Sequence, residues 1–186
     1  MRAFLAVELP SESPVDALAR ATEHLTLLFL GEIDPGVAQA LPAALDGAVL
    51  QVPQFEFVVE GVGAFPSRDR PRVVWRGVTS GRDELAALAK AVRGAVAEAG
   101  VRVDSTPFVP HVTLFRVRSS RDLARATVLL GGSESPPPPL RVPVSAVVLK
   151  SSVLGPAGAT HQTLARIPLG VPLGESERGS SPSGQR

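Results

Sequence analysis

The sequence predicts an α+β fold of mostly antiparallel sheet, arranged in two similar lobes. Segments with strand character alternate with helical segments along the 186 residues. Hairpin patterns interrupt this alternation and favour antiparallel pairing. The pattern His-x-Thr-Leu occurs twice, at 24–27 and at 111–114, each time on a predicted strand. This weak internal repeat indicates two lobes related by a pseudo-twofold axis.

The first half of the chain is predicted to contain four strands and two helices. Pro14 and Pro35 each fit the first position of a helix, behind Ser13 and Asp34 as caps. Pro42 should kink or split the second helix, because proline removes a backbone hydrogen bond. The predicted elements are strands at 2–9, 24–30, 55–62 and 73–78, helices at 11–21 and 34–46, and a long hairpin loop at 63–72.

The second half contains the clearest helix, at 83–99, where apolar residues recur at helical spacing and Gly100 follows as a stop. We predict one two-lobed domain over 1–170, followed by a disordered tail over 171–186 that lacks periodicity. The remaining predicted elements are a strand at 111–117, a helix at 121–130, a Pro-rich surface loop at 131–139 and strands at 141–149 and 161–169.

Composition narrows the possible functions. The absence of Cys excludes disulfides, thiolate metal sites and a cysteine nucleophile. A net charge of +1 is not typical of a protein that neutralises many phosphates of long nucleic acid, but it suits binding of one phosphate or one strand end. The sequence contains no apolar run of about 18 residues and no signal-peptide pattern. We therefore expect a cytoplasmic protein without a membrane partner. A monomeric state is a separate expectation.

The two His-x-Thr-Leu motifs carry the candidate catalytic groups. Residues i and i+2 of a strand share a face, so His24 should lie beside Thr26 and His111 beside Thr113. A neutral imidazole can take a proton from water, a protonated one can give a proton to a leaving oxygen, and hydroxyls can donate to phosphate oxygens. This set is complete for phosphodiester hydrolysis, so no metal or other cofactor is expected. The apolar residues between them should face a core, namely Leu25, Leu27, Val112 and Leu114.

The pattern alone leaves open a coincidence, or a duplicated structural unit without chemistry. The repeated motif resembles the signature of the two-histidine (2H) phosphoesterase superfamily, and more closely the bacterial and archaeal RNA 2′,3′-cyclic phosphodiesterases, also called ThpR or LigT-like 2′-5′ RNA ligases. The similar stretches follow the family's order and span nearly 1–170. They are MRAFLAVELP, HLTLLFLGEID, GVGAFPSRDRPRVVWRGV, PFVPHVTLFRVR and VVLKSSVLGPAGATHQTLARIPLG.

The resemblance implies a LigT-like fold around a central cleft, and hydrolysis of 2′,3′-cyclic phosphate on RNA ends or nucleotides to a 2′-phosphate. His24 matches the residue that protonates the leaving 3′ oxygen, and His111 matches the one that activates water. Thr26 and Thr113 match donors to the phosphate oxygens. Arg116 stands where the family has an arginine that contacts phosphate. The reverse reaction, 2′-5′ ligation of RNA ends, is also implied.

Arg116 conflicts with simple strand alternation. His111 and Thr113 share one parity and Arg116 has the other, so an ideal strand would direct Arg116 away from the cleft. A strand end or a β-bulge after Leu114 would direct the Arg116 side chain towards the cleft. The alternative is an arginine on a solvated face.

Several assignments stay open at this point. Only thirteen residues separate Pro10 from His24, near the lower limit for a crossover if the flanking strands were parallel neighbours. His161 could line the cleft or occupy an ordinary strand position, and Phe108 could flank a nucleobase or pack in the core. The arginines of FPSRDRPR could attract RNA or belong to a solvated turn. The alternative functions are hydrolysis of other small cyclic phosphates or 2′-5′ oligonucleotides, and RNA-end binding without turnover.

Overall fold

The structure, a computed structural model, describes residues 1–10, 24–103, 106–132, 138–155 and 158–171. The predicted helix at 11–21 lies outside the described residues, as do most of the predicted Pro-rich loop and nearly all of the predicted tail. The division into a domain and a disordered tail therefore stays a prediction. Among the described residues, no helix is long and apolar enough to cross a membrane.

Two four-stranded antiparallel sheets and three helices make up the described fold, which confirms the predicted α+β class. The elements are β1 (Arg2–Glu8), β2 (His24–Glu32), α1 (Pro35–Leu50), β3 (Phe55–Pro66), β4 (Pro71–Ser80), α2 (Arg82–Glu98), β5 (His111–Arg116), α3 (Ser120–Leu130), β6 (Leu140–Val144), β7 (Ala146–Gly155) and β8 (Gly158–Pro168).

Each sheet has a motif strand at one edge. The first sheet has the order β2-β1-β7-β8 and the second has the order β5-β4-β3-β6. The two motif strands, β2 and β5, approach within 8 Å between Cα atoms. The fold therefore brings the two repeats, which are far apart in sequence, next to each other.

The main core lies on the side of the sheets that faces α1 and α2. Leu25 and Leu27 of β2 and Val112 of β5 are buried in this core. Leu114 is buried in a smaller cluster with Ala126 of α3. These four positions confirm the predicted alternation, so the histidines and threonines of the motifs lie on the opposite face.

Strands β1 and β2 pair in antiparallel register, with Arg2 opposite Glu32 and Glu8 opposite His24. An antiparallel pair needs no crossover, so the short connection between them is not restricted by that requirement. Pro42 lies inside α1, and the predicted splitting of that helix is wrong.

The predicted long loop at 63–72 is wrong, because β3 runs on to Pro66 and β4 begins at Pro71. Gly63 indicated a turn in the sequence, but in the structure it pairs with Trp75. A Cβ at Gly63 would overlap the indole ring, so the absence of a side chain at this position leaves room for Trp75.

The predicted single strand at 141–149 is also wrong. The chain leaves β6 of the second sheet and enters β7 of the first sheet with only Ser145 between them. β6 alternates buried and exposed residues, as an edge strand does, whereas residues 146–151 of the inner strand β7 are all buried. The change from alternating to continuous burial marks the switch between sheets.

Candidate active site

Both motif strands carry a β-bulge at the same place. In β5, Thr113 pairs with Trp75 and Phe115 pairs with Val74, so Leu114 is the extra residue. In β2 the register skips Leu27 in the same way. We call the side of each sheet that carries the motif histidine and threonine the motif face.

The bulges determine which residue further along each strand has its side chain on the motif face. Arg116 pairs with Val73, which has the same parity as Trp75, and therefore lies on the face of His111 and Thr113. The β-bulge considered in the sequence is thus present, and it removes the conflict with strand alternation. In β2 the corresponding position is Phe29, an exposed residue opposite Phe4.

His24 packs against rings from β1 and β8. The residue is buried, with 7% of its surface exposed. Its ring centroid lies 4.7 Å from Phe4 and 5.1 Å from His161, and the two imidazoles are nearly perpendicular. Burial, aided by the charges of His161 and Lys150, lowers the pKa of His24 to about 3, while the charge of Glu8 opposes the shift. His24 is therefore neutral at neutral pH in the free protein.

A charged network lies beside His24 on the first sheet. Glu8, opposite His24 in register, forms an ion pair with Lys150 at 2.8 Å and another with Arg166. The hydroxyl of Thr163 donates to the same carboxylate at 3.2 Å. Burial alone would raise the pKa of Glu8, but the hydrogen bond and charge of Lys150, aided by Arg166, lower it. Glu8 therefore stays ionised next to the imidazole.

His111 is oriented by the backbone. Its Nδ1 lies 2.7 Å from the carbonyl oxygen of Val109. A carbonyl only accepts, so Nδ1 carries the proton and Nε2 is left as an acceptor. Burial lowers the pKa of His111 and so does the charge of Arg116, although the Val109 carbonyl opposes them. His111 is therefore held neutral, with a basic nitrogen available.

His111 also contacts aromatic rings, which here come from the second sheet. The ring of Phe65 lies 4.9 Å from His111 and perpendicular to it, and Trp75 lies 6.2 Å away. Phe65 and Trp75 are themselves 5.1 Å apart. The two rings come from β3 and β4, which follow β5 in the order of the second sheet.

The remaining candidates are placed as follows. His161 lies within β8, where it pairs with Ser152, and its ring contacts both His24 and Phe4. Phe108 is partly buried and packs against the main core. Arg68, in the turn between β3 and β4, donates to the carbonyl oxygen of Leu130 at 2.9 Å. Within the described ranges, no three His, Asp or Glu residues are grouped so as to hold a metal ion.

Sequence reasoning missed the charged network and the aromatic rings of the site. Glu8 has the parity of Phe4 and Ala6, opposite to the core residues of β1, so the alternation of that strand already placed it on the face opposite the main core. The partners Lys150 and Arg166 come from strands more than 140 residues later, and nothing in the local sequence pairs them with Glu8.

Two sheets that each present a bulged His-x-Thr strand define a two-histidine phosphoesterase fold. The chain belongs to the 2′-5′ RNA ligase superfamily, whose family profile matches residues 10–154. This membership confirms the resemblance drawn from the motifs.

Similar proteins include the RNA 2′,3′-cyclic phosphodiesterase of Aeropyrum pernix, 35% identical over 154 residues, covering 81% of this chain and 84% of that protein. The RNA 2′,3′-cyclic phosphodiesterase of Archaeoglobus fulgidus is 35% identical over 157 residues, covering 84% and 85%. Among solved structures, the protein TT0787 of Thermus thermophilus has a TM-score of 0.71 at 27% identity, covering 92% of this chain and all of that one. Escherichia coli LigT complexed with 3′-AMP has a TM-score of 0.70 at 26% identity, covering 90% and 97%.

Proposed function

We propose that this protein hydrolyses 2′,3′-cyclic phosphates on RNA ends or nucleotides and leaves a 2′-phosphomonoester. The observation that carries the proposal is the pair of bulged strands, each presenting an imidazole and a hydroxyl on the motif face and lying next to each other in the fold. The names of the similar proteins from Aeropyrum and Archaeoglobus support the same substrate.

In this proposal His111 is the general base. Its Nε2 takes a proton from a water molecule as the water oxygen attacks phosphorus. The hydrogen bond from Nδ1 to Val109 supports this role, because it fixes the tautomer that a base requires. The lowered pKa of His111 keeps the ring neutral before reaction.

His24 is the general acid, which protonates the 3′ oxygen as the bond from that oxygen to phosphorus breaks. A ring with a pKa of about 3 is not protonated at neutral pH, so a proton has to be gained with the substrate. The negative phosphodiester raises the pKa of a neighbouring imidazole, and the ionised Glu8 acts in the same direction. Substrate binding and protonation of His24 are therefore coupled.

Thr26, Thr113 and Arg116 stabilise the negative charge that builds up on the non-bridging phosphate oxygens. The hydroxyls share the motif faces with the two imidazoles, and the bulge directs Arg116 to the same side. A guanidinium can donate two parallel hydrogen bonds to one phosphate group. No metal or other cofactor takes part in this scheme.

The test uses an RNA oligonucleotide that ends in a 2′,3′-cyclic phosphate, incubated with the protein in excess EDTA. We expect turnover, with phosphorus NMR showing a 2′-phosphate as the product. A 3′-phosphate product would contradict the assignment of the leaving oxygen. Tight binding without turnover would favour an RNA-end binder, and a 3′,5′-cyclic nucleotide serves as the control that should not react.

The same site could run the reaction in reverse, joining RNA ends through a 2′-5′ linkage when a 5′ hydroxyl replaces water. Incubation of two RNA ends at high concentration, followed by sizing of the products, tests this reversal. A cytoplasmic location and a monomeric state stay predictions from the sequence.

A further inference from the structure

The net charge of +1 conceals an uneven distribution of charge. Two segments, 67–72 and 115–125, contain seven arginines and two aspartates, so they carry a charge of +5. The rest of the chain therefore carries −4. All seven arginines are exposed, and we call them the arginine surface.

The two segments form one region of the fold. The backbone N–H of Val117 donates to the carbonyl oxygen of Arg72 at 2.9 Å, directly beyond the pair Val73–Arg116. The turn at 67–70 is attached to the end of α3 through the hydrogen bond from Arg68 to Leu130. The arginine surface thus spans the tip of the β3–β4 hairpin and the start of α3.

The acidic groups of this region offset only part of its charge. Hydrogen bonds from the backbone of Arg118 and from Ser119 lower the pKa of Asp122, and among these arginines only the charge of Arg125 adds to that shift. Asp122 is used in the N-terminal cap of α3, where its carboxylate accepts from the backbone N–H groups of Arg118 and Ser119 and from the hydroxyl of Ser119. In the part of the chain that the structure describes, no carboxylate lies within ion-pairing distance of these arginines. By contrast, Arg141 and Arg166 elsewhere in the fold are both paired with glutamates.

The arginine surface begins inside the candidate active site. Arg116 lies on the motif face beside His111 and Thr113, and its charge lowers the pKa of His111. From there the exposed arginines continue away from the histidines along one end of the second sheet. A polyanion that has one phosphate at Arg116 can therefore place its next phosphates on this surface.

We propose that the arginine surface binds the backbone phosphates of the RNA strand whose cyclic end occupies the active site. This inference rests on the proposed function and deepens it, because it makes an RNA chain a better substrate than a cyclic mononucleotide. Contacts to phosphate position a strand without reading its sequence, and they depend on salt because they release counterions. Surface charge of one sign attracts a polyanion of the opposite sign, whereas like charges repel each other.

The test measures binding of a fluorescent RNA decamer that ends in a 2′-phosphate, the product, which is not turned over. The variant Arg70→Gln/Arg118→Gln removes two charges of the arginine surface outside the proposed catalytic machinery. The control Lys90→Gln/Arg102→Gln removes two exposed charges on α2 and the loop after it. We expect about tenfold weaker binding for the variant at low salt, and a slope of log affinity against log salt that is shallower by about 1.4.

A nucleoside 2′-phosphate should bind the wild type and both variants within about twofold, because it reaches only the active site. Equal losses for decamer and mononucleotide, an unchanged salt slope, or the same loss in the control would overturn the inference. So would binding of the wild type to phosphatidylglycerol vesicles without salt-dependent binding of RNA. Since the decamer is a product, a failure of the proposed hydrolysis shows in the turnover assay and leaves this result independent of it.

Discussion

The two motif strands have the same backbone design in different chemical surroundings. In β2 and in β5 the chain presents a histidine, then a threonine, then a bulged leucine, and then a later residue that returns to the motif face. Each imidazole contacts a phenyl ring, Phe4 at His24 and Phe65 at His111. The ion pair of Glu8 with Lys150 and a second imidazole lie beside His24, whereas an indole ring and the charge of Arg116 act on His111. The returning residue is Phe29 in one strand and Arg116 in the other.

In the proposed function, these different surroundings let one repeated strand serve two different roles. The backbone fixes where the imidazole and hydroxyl point, and the neighbouring strands decide how each imidazole titrates. A carbonyl fixes one ring as a proton acceptor. The ionised Glu8 beside the other ring favours its protonated form, but burial and the charges of His161 and Lys150 outweigh Glu8 in the free protein. The proposed division into base and acid therefore depends on the neighbours together with the negative charge of the substrate, and not on the motif alone.

The largest expected effect comes from removing either imidazole. His24→Ala and His111→Ala should each lower kcat for a cyclic nucleotide by about 10²–10⁴-fold, because each ring transfers one proton. If the two regions act as one unit, the double variant should lose little more than either single variant. Circular dichroism checks that each variant is folded, and a wild-type rate in either would refute its role.

Replacing the hydroxyls should cost less and would sharpen the comparison. Thr26→Val and Thr113→Val each remove one donor to a charged oxygen, so we expect roughly 10–10²-fold lower kcat/KM. Equal losses of kcat/KM would mean that the two threonines contribute equally to stabilising the phosphate. Steady-state kinetics for both variants measures kcat/KM. An unchanged value in either variant would show that its threonine hydroxyl takes no part in the mechanism.

The pH profile tests whether the two imidazoles titrate as a pair. Both pKa values are lowered in the free protein, and the reactive form carries one proton on the pair. The population of that form falls as pH rises above the higher pKa, which lies below the usual 6.5 of a histidine. We therefore expect kcat/KM to fall by up to about tenfold per pH unit between about pH 7 and pH 8.5. A constant kcat/KM across that range would contradict the proposed pair.

The smallest expected effect concerns the rings beside His111. Gly63→Ala places a methyl group against Trp75 and should lower the free energy of unfolding by about 1–3 kcal/mol. The control is Gly47→Ala in α1, where the added methyl meets nothing and should be neutral or stabilise by about 0.5–1 kcal/mol. Urea denaturation measures both changes, and equal stabilities would show that the indole moves aside freely.

The sequence predicted the motif faces because strand alternation is a local rule. The burial of Leu25 and Val112 could be read from two short stretches, and the resemblance to a family covered both. The network around Glu8 was not predictable, since its partners meet it only when β1, β7 and β8 pair. The change of sheet at Ser145 was not predicted, because one polar residue between apolar residues still fits a single continuous strand.

The chain has a single tryptophan and no tyrosine. Trp75 lies 6.2 Å from His111, so the indole emission of the whole protein arises beside the proposed base. Protonation of that imidazole, or arrival of a ligand, should quench or shift this one signal. The protein therefore contains an intrinsic optical probe by which occupancy could be followed in real time, without any label.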